Sequence, residues 1–245
     1  MKSLVLCLVV VVVFGSCLKL PSSFKKCDRR STNFNQCLSK SIHGALTSLE
    51  KPLKSHGLPS LHDVLFPPAF GFEIGNSTYG LKQKCGNLRL FGLSNPENVA
   101  ARMNFGPVVS TLTVETTYSE LKWTAEWEVQ GTMVLLPLNV VTAVEAILVE
   151  PVLTIIFDLE EYEKGGTHFR VAGTGIDLQA RDFVIDYKRL FSNERLNREF
   201  NSALVEKSSE IFAMFKHLEK IYAPAFGSML NGFLEKVPVA ELFDG

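Results

Sequence analysis

The sequence predicts an α+β fold in which a long, highly curved antiparallel sheet wraps around one long C-terminal helix, with a short helix near the N-terminus. Residues 109–129 alternate between apolar and polar side chains, whereas residues 193–237 repeat apolar side chains every three or four positions. Strands followed by a helix are typical of α+β chains, not of parallel β–α–β units. Because there is no internal repeat or low-complexity linker, we expect residues 18–245 to form a single domain.

The C-terminal stretch has the pattern of one long helix, and Ser192 or Asn193 can cap its first turn through a side-chain oxygen. Roughly 40 residues at about 1.5 Å each make a rod on the order of 60 Å long, which needs a large apolar partner. Lys207 and Ser208 interrupt the stripe and Pro224 removes an amide donor, so we expect local bends. The stripe consists of Leu196, Phe200, Ala203, Leu204, Ile211, Phe215, Leu218, Tyr222, Phe226, Met229 and Phe233.

The preceding chain should supply that partner as antiparallel strands, half-buried on one face. Strands are predicted over residues 81–93, 109–118, 121–129, 131–141, 146–159, 168–173 and 177–187. The short helix is predicted over residues 35–54, and His168, beside the Gly165-Gly166 turn, is expected at the surface. On one face of these strands lie Leu112, Val114, Thr116, Tyr118, Leu121, Trp123, Ala125, Trp127 and Val129. The side chains on this face that are expected to meet the helix are Leu112, Val114, Tyr118, Trp123 and Trp127.

The first 17 residues read as a signal peptide. A lysine at position 2 precedes an unbroken apolar run, and Gly15-Ser16-Cys17 supplies small residues for cleavage after Cys17. About 11 apolar residues are too few to span a bilayer, which takes about 20. We therefore expect a secreted, extracellular protein, and we expect it to be a monomer.

The cysteines agree with secretion. Cys27 and Cys37 bracket a polar segment that can double back, and a disulfide between them would stabilise the fold by roughly 2–3 kcal/mol. Cys85 is then left over, either as a buried free thiol or as an exposed one able to form a dimer. Asn76 begins the one glycosylation sequon, which falls in a predicted turn.

Recognisable catalytic chemistry is absent from the sequence. There is no nucleophile elbow, no zinc-protease motif, no phosphate loop and no dinucleotide fingerprint, so an enzyme is not expected. The pair Glu126 and Glu128 lies on the polar face of a strand, where carboxylates are usually solvated. A formal net charge of -1 without a basic run does not favour nucleic acid, and neither a metal site nor a cofactor is expected.

What remains is an apolar interior rich in large rings. Such rings pack against a curved sheet with gaps, and a gap of this kind is an apolar pocket. The predicted pocket lining is Trp123, Trp127, Phe212, Phe215, Tyr222, Phe226, Met229 and Phe233, with the Tyr222 hydroxyl as a potential partner for an ester or carbonyl.

The chain also resembles the insect takeout and juvenile-hormone-binding-protein family. The features are the Cys27 and Cys37 pair after the signal peptide, the sequence of residues 57–59 (Gly-Leu-Pro), residues 127–131 before Leu-Pro-Leu at 136–138, the opening of the long helix at residues 190–201, and the ending at residues 237–243. Residues 139–143 lack the glycines usual there, Trp127 takes a position that is often tyrosine, and no late second disulfide is available. The last point makes the chain closer to the takeout branch.

The resemblance implies a super-roll fold with an internal tunnel and a secreted carrier of a small hydrophobic ligand, such as a terpenoid like juvenile hormone or a fatty-acid-like lipid. Two alternatives stay open. One is a signalling or defence protein with a packed core that acts through contacts with a receptor. The other is a lipid-exchange protein that docks transiently on membranes through exposed apolar residues 65–68.

Overall fold

The computed structural model describes residues 18–66, 70–75, 80–133, 136–216 and 219–244. The predicted signal peptide and Asn76 lie outside the described residues. The strands are β1 (Cys27–Asp28), β2 (Asp63–Leu65), β3 (Phe70–Gly75), β4 (Gly80–Phe91), β5 (Asn98–Asn104), β6 (Val109–Thr117), β7 (Glu120–Met133), β8 (Leu136–Val149), β9 (Val152–Glu163), β10 (Thr167–Gln179), β11 (Asp182–Tyr187) and β12 (Phe243–Asp244). The helices are α1 (Phe34–Ser48), α2 (Glu194–Glu206), α3 (Ser208–Lys216), α4 (Glu219–Leu234) and α5 (Val239–Leu242).

The predicted curved antiparallel sheet is built as two sheets that meet at a corner. One has the order β11-β8-β7-β4-β2, with β3 also paired to β4, and the other has the order β10-β9-β6-β5. At the corner, the Glu150 amide donates to the Ser119 carbonyl at 2.9 Å and the Tyr118 amide donates to the Pro151 carbonyl at 3.1 Å. The chain therefore passes from one sheet to the other twice at the same place, and the sheets enclose a common interior.

Three predicted strands have the wrong bounds. The segment 131–141 joins the end of β7 to the start of β8, the segment 146–159 joins β8 to β9 across the corner, and the segment 177–187 joins the end of β10 to β11. Glu150 makes the turn between β8 and β9 with a φ of 48°. This conformation is more typical of glycine, and the sequence has no glycine at the turn. β5 is a further strand, and its Ala101 and Met103 side chains point inward.

The C-terminal rod begins as predicted but is not continuous. The Asn193 side chain accepts from the amides of Arg195 and Leu196 at 2.9 and 3.2 Å, which caps α2. α2 ends at Glu206 and α3 begins at Ser208, so the expected irregularity at Lys207 is a helix end. α4 runs through Pro224 and ends at Leu234, three residues before the predicted end.

Side-chain amides and carboxylates fasten this rod to the free edges of both sheets. On β11 and the turn after it, the Asn201 side chain accepts from the Tyr187 amide at 3.0 Å, and that of Asn197 accepts from the Leu190 amide at 2.8 Å. On β10, Asn231 accepts from the Val171 amide at 2.7 Å, and Glu219 accepts from the Leu178 amide at 2.9 Å. Edge donors are thereby satisfied, and the rod is held across the open side of the roll.

The short N-terminal helix, α1, ends earlier than predicted because Pro52 disfavours helical backbone at the residue before it.

His168 was predicted to lie at the surface, but it is buried. Its side chain is 1% exposed, and its Nδ1 donates to the Leu234 carbonyl at 3.0 Å. The last carbonyls of a helix lack intrahelical donors, so His168 satisfies one at the end of α4. Cys85 is a buried free thiol, which decides between the two alternatives left open by the sequence.

Candidate ligand-binding cavity

A cavity of about 270 Å³ lies where α1, the four-stranded sheet and α4 face one another. We call it the large cavity. Its sheet wall includes Leu112, Val114, Thr116 and Tyr118, which are side chains that the sequence predicted to face inward. The opposite walls are the apolar face of α1 and the α4 residues Phe226, Met229, Leu230, Phe233 and Leu234. A space of this size and lining is suited to an apolar guest and not to water, which needs polar partners.

The N-terminal segment, residues 18–26, crosses the large cavity and contributes Leu20, Phe24 and Lys25 to its lining. We call this segment the strap. The Leu18 amide donates to the Lys236 carbonyl at 2.9 Å, and His56 Nε2 donates to the Lys19 carbonyl at 3.0 Å. At its other end, the strap continues into the predicted disulfide between Cys27 and Cys37, whose sulfurs are 2.02 Å apart. Hydrogen bonds and a covalent bond thus hold the strap against α1 and the rod.

The polar groups of the inner wall already have partners. The Thr116 hydroxyl donates to the Leu153 carbonyl at 3.1 Å, and the Tyr118 hydroxyl donates to the Leu93 carbonyl at 3.4 Å. Burial raises the pKa of Tyr118 to about 12, so the phenol stays neutral at physiological pH. The wall is therefore electrically neutral, and its hydroxyl protons are committed to backbone carbonyls.

A second region of the interior lies between the six-stranded sheet and the N-terminal part of α4, around Trp123, Trp127 and Phe183. We call it the tryptophan half. Among the described residues of this region lie two small hollows, of about 40 and 20 Å³. Trp123 packs against Tyr222 with ring centroids 6.1 Å apart and against Phe183 at 6.5 Å. Trp127 packs against Tyr187 at 6.1 Å.

The eight residues predicted to line a ligand pocket are divided between these regions. Phe226, Met229 and Phe233 line the large cavity, whereas Trp123 and Tyr222 line both small hollows and Trp127 lines the smaller one. Phe212 lines none of the three and packs against Phe183 with centroids 5.5 Å apart. The side chain of Phe215 lies outside the described residues. Whether any of the eight binds a ligand stays a prediction.

Phe226 is a boundary between the two regions, because it lines both the large cavity and the 40 Å³ hollow. Its ring lies 5.6 Å from that of Phe66, which in turn lies 5.3 Å from Tyr222. Burial, together with the nearby Cys85, raises the pKa of Tyr222, so its hydroxyl is neutral. Three rings in edge-on and tilted contact therefore lie at one end of the large cavity.

The sequence analysis anticipated the sheet as a wall but missed the strap and α1. A signal was present: Leu38, Ile42, Ala45, Leu46 and Leu49 share one face of the predicted short helix, and all five line the cavity. Of residues 65–68, which were expected to be exposed and to dock on membranes, only Leu65 is exposed among the described residues, at 52%. Phe66 is 7% exposed and packs inside, and residues 67 and 68 lie outside the described residues.

The fold and its apolar cavity define a class of protein that holds hydrophobic ligands between a curved sheet and a C-terminal rod. The chain belongs to the haemolymph juvenile hormone binding protein family, whose model matches residues 4–244. The members of this family are binding proteins, not enzymes. A search of curated protein sequences finds no significantly similar relative.

The solved structure of a takeout protein supports the same fold. Takeout 1 of Epiphyas postvittana is similar with a TM-score of 0.66 and 16% identity, over 90% of this chain and 99% of that one. A lipopolysaccharide binding protein is matched with a TM-score of 0.40 and 14% identity, over 80% of this chain and 38% of that one. The resemblance to the takeout and juvenile-hormone-binding-protein family, and the super-roll fold that it implied, are thereby confirmed. Within the described residues, no helix combines the length and hydropathy needed to cross a bilayer.

Proposed function

We propose that this protein is a secreted, monomeric carrier that encloses a small hydrophobic ligand, a terpenoid such as juvenile hormone or a fatty-acid-like lipid, in the large cavity. The observation that carries the proposal is the size and lining of that cavity, about 270 Å³ and almost entirely apolar. An apolar cavity of about 150 Å³ can already take up benzene, so there is room for a guest roughly twice as large. Family membership points the same way.

The energetics suit a carrier that must also release its ligand. A guest that buries roughly 400 Å² of apolar surface gains on the order of 10 kcal/mol at about 25 cal/mol per Å². The loss of translational and rotational freedom and the ordering of side chains cost several kcal/mol, so the expected dissociation constants are roughly micromolar to nanomolar. The alternative of a signalling or defence protein with a packed core needs an interior without such a cavity.

The ligand contacts in this proposal are Phe226, Met229 and Phe233 of α4, with the sheet wall around Leu112 and Val114 opposite. Trp123, Trp127 and Tyr222 support the rod from the tryptophan half and are not needed for a guest confined to the large cavity.

The proposal that the protein is secreted is supported by the predicted signal peptide of residues 1–17 and by the disulfide, since disulfides persist in oxidising compartments. In the intact mass of the secreted protein, we expect a chain that begins at Leu18 and carries a glycan lost in Asn76→Gln.

The test is displacement of a fluorescent apolar probe by fatty acids, terpenoids and quinones, with native mass spectrometry of the complexes. Met229→Trp fills the large cavity and should weaken binding at least about 10-fold, because the indole occupies the space of the guest. The matched control is Leu196→Trp, which adds the same ring at a position on α2 that is 42% exposed, and should bind like the natural protein. If the folded natural protein binds none of these ligands, the proposal is wrong.

A further inference from the structure

We propose, on the basis of the proposed function, that the ligand is an amphiphile with an anionic head group, such as a fatty acid, and that Lys25 binds this head at the mouth of the large cavity. The proposal comes from where the cavity meets solvent. Among the described residues that line the large cavity, Lys25 and Pro59 are exposed and the others are buried or half-buried. A lysine that both lines a cavity and reaches solvent lies at the opening and can hold its ammonium group in water.

Lys25 is also the only charged residue among the described residues of this lining. None of the ion pairs found among the described residues includes it, whereas its neighbour Lys26 is paired with Asp244 at 2.7 Å. The ammonium group of Lys25 therefore offers three hydrogen-bond donors at the mouth. The Ser41 hydroxyl, which also lines the cavity, donates to the Lys25 carbonyl and fixes the backbone there.

The inner wall disfavours a neutral carbonyl head placed deep in the cavity. The hydroxyl protons of Thr116 and Tyr118 are already donated to backbone carbonyls, so a buried ester or ketone oxygen would lose its water without gaining a donor there. An alkyl chain has no such requirement. The favourable orientation therefore places the chain inside and the polar head at Lys25.

The charge around the mouth has the sign that an anion requires. Lys25, Lys26, Arg29 and Arg30 lie within one short segment that contains a single acidic residue, Asp28. The Arg29 guanidinium lies over the Phe243 ring at 4.9 Å, and that ring also lines the large cavity. With Lys26 paired to Asp244 and the Asp28 carboxylate accepting from the Arg30 amide, the segment keeps a positive excess beside the opening.

The test compares dodecanoic acid, its methyl ester and dodecanol as displacing ligands at low ionic strength. We expect the natural protein to bind the acid about 3- to 10-fold more tightly than the ester, a modest factor because the ion pair is solvent-exposed. Lys25→Ala should bind acid and ester equally well, and Lys25→Glu should prefer the ester. Lys19→Ala is the matched control: it removes an exposed lysine of the same strap that does not line the cavity, and should keep the preference for the acid.

The outcomes separate the two proposals. Equal affinities for acid and ester in the natural protein, or an unchanged preference in Lys25→Ala, would refute the role of Lys25 while leaving the carrier intact. A folded natural protein that binds none of the three ligands would refute the carrier as well. Because the Lys25 side chain is exposed, its variants should unfold at the same temperature as the natural protein, which circular dichroism checks.

Discussion

The two ends of the interior enclose very different amounts of empty space, although both lie between the rod and an antiparallel sheet. In the tryptophan half, two indole rings and the rings of Phe183, Tyr187 and Tyr222 interlock and leave hollows of about 40 and 20 Å³. At the other end, the sheet wall mixes aliphatic side chains such as Leu112 with the rings of Phe157 and Phe169, no tryptophan lines it, and about 270 Å³ stays open. Both tryptophans of the chain lie on the six-stranded sheet, so the filled end is the one that receives the two indoles.

This difference assigns separate tasks to the two halves. A filled interior stabilises the fold, because each buried ring has neighbours on all sides. A hollow interior gives up those contacts and gains a binding site. The comparison can be tested by substitutions that remove side chains from each half.

The largest effect is expected from Trp127→Ala. Trp127 is 3% exposed and packed by Tyr187, so its removal should lower the free energy of unfolding by about 3–5 kcal/mol. Met229→Ala is the control on the hollow side, where one face of the side chain already borders empty space, and should cost about 2 kcal/mol or less. Urea unfolding of both variants measures the difference. Equal losses would mean that the two halves do not differ in packing.

An intermediate effect is expected from Phe226→Ala, because this ring divides the two halves. Its removal joins the large cavity to the 40 Å³ hollow and lengthens the site by about one helical turn, roughly 5.4 Å. Because an extended chain advances about 1.2 Å per bond, the longest alkyl chain that binds well should grow by about four carbons. Phe233→Ala removes the same ring from the lining of the large cavity alone and is the control. A chain-length series of fatty acids measured on both variants would contradict the division if their preferences shifted alike.

Much of this arrangement could be predicted from periodicity. The alternation at Leu121, Trp123 and Trp127 fixed the inward face of β7, and the Asn193 cap fixed the start of the rod. The corner at Glu150 was missed although Glu150-Pro151 interrupts the apolar run of β8 and β9, because the turn uses a positive φ without glycine. His168 was missed because its partner, the Leu234 carbonyl, is 66 residues away in the sequence.

The location of the cavity could not be predicted in the same way. Periodicity identifies which side chains face the interior, but whether they fill it depends on their summed volume and on what closes the ends. Here α1 and the strap complete the walls, and neither follows from the stripe on the rod. Seven of the eight predicted residues are aromatic, and large rings can fill an interior as well as line a cavity, as Trp123 and Trp127 do here.

The smallest effect on stability is expected from Cys85→Ala. Because the Cys85 thiol lies in the tryptophan half, its reactions also measure how rarely that half opens to solvent. The thiol is fully buried, and burial raises its pKa to about 12. Because the folded pKa lies above that of the unfolded chain, this group stabilises the fold below about pH 9, and the contribution is lost as the pH rises toward 12. Cys85→Ala should therefore flatten the decline of the free energy of unfolding over that interval.

Alkylation gives the direct measurement. In the secreted chain Cys27 and Cys37 are joined, so iodoacetamide at pH 8 should add one group only, slowly in the folded protein and rapidly in urea. A saturating ligand of the large cavity should change this rate little if the two halves open independently. Alkylation of the folded protein at the rate seen in urea would show instead that the tryptophan half is open to solvent, and that the contrast between a filled and a hollow end does not hold in solution.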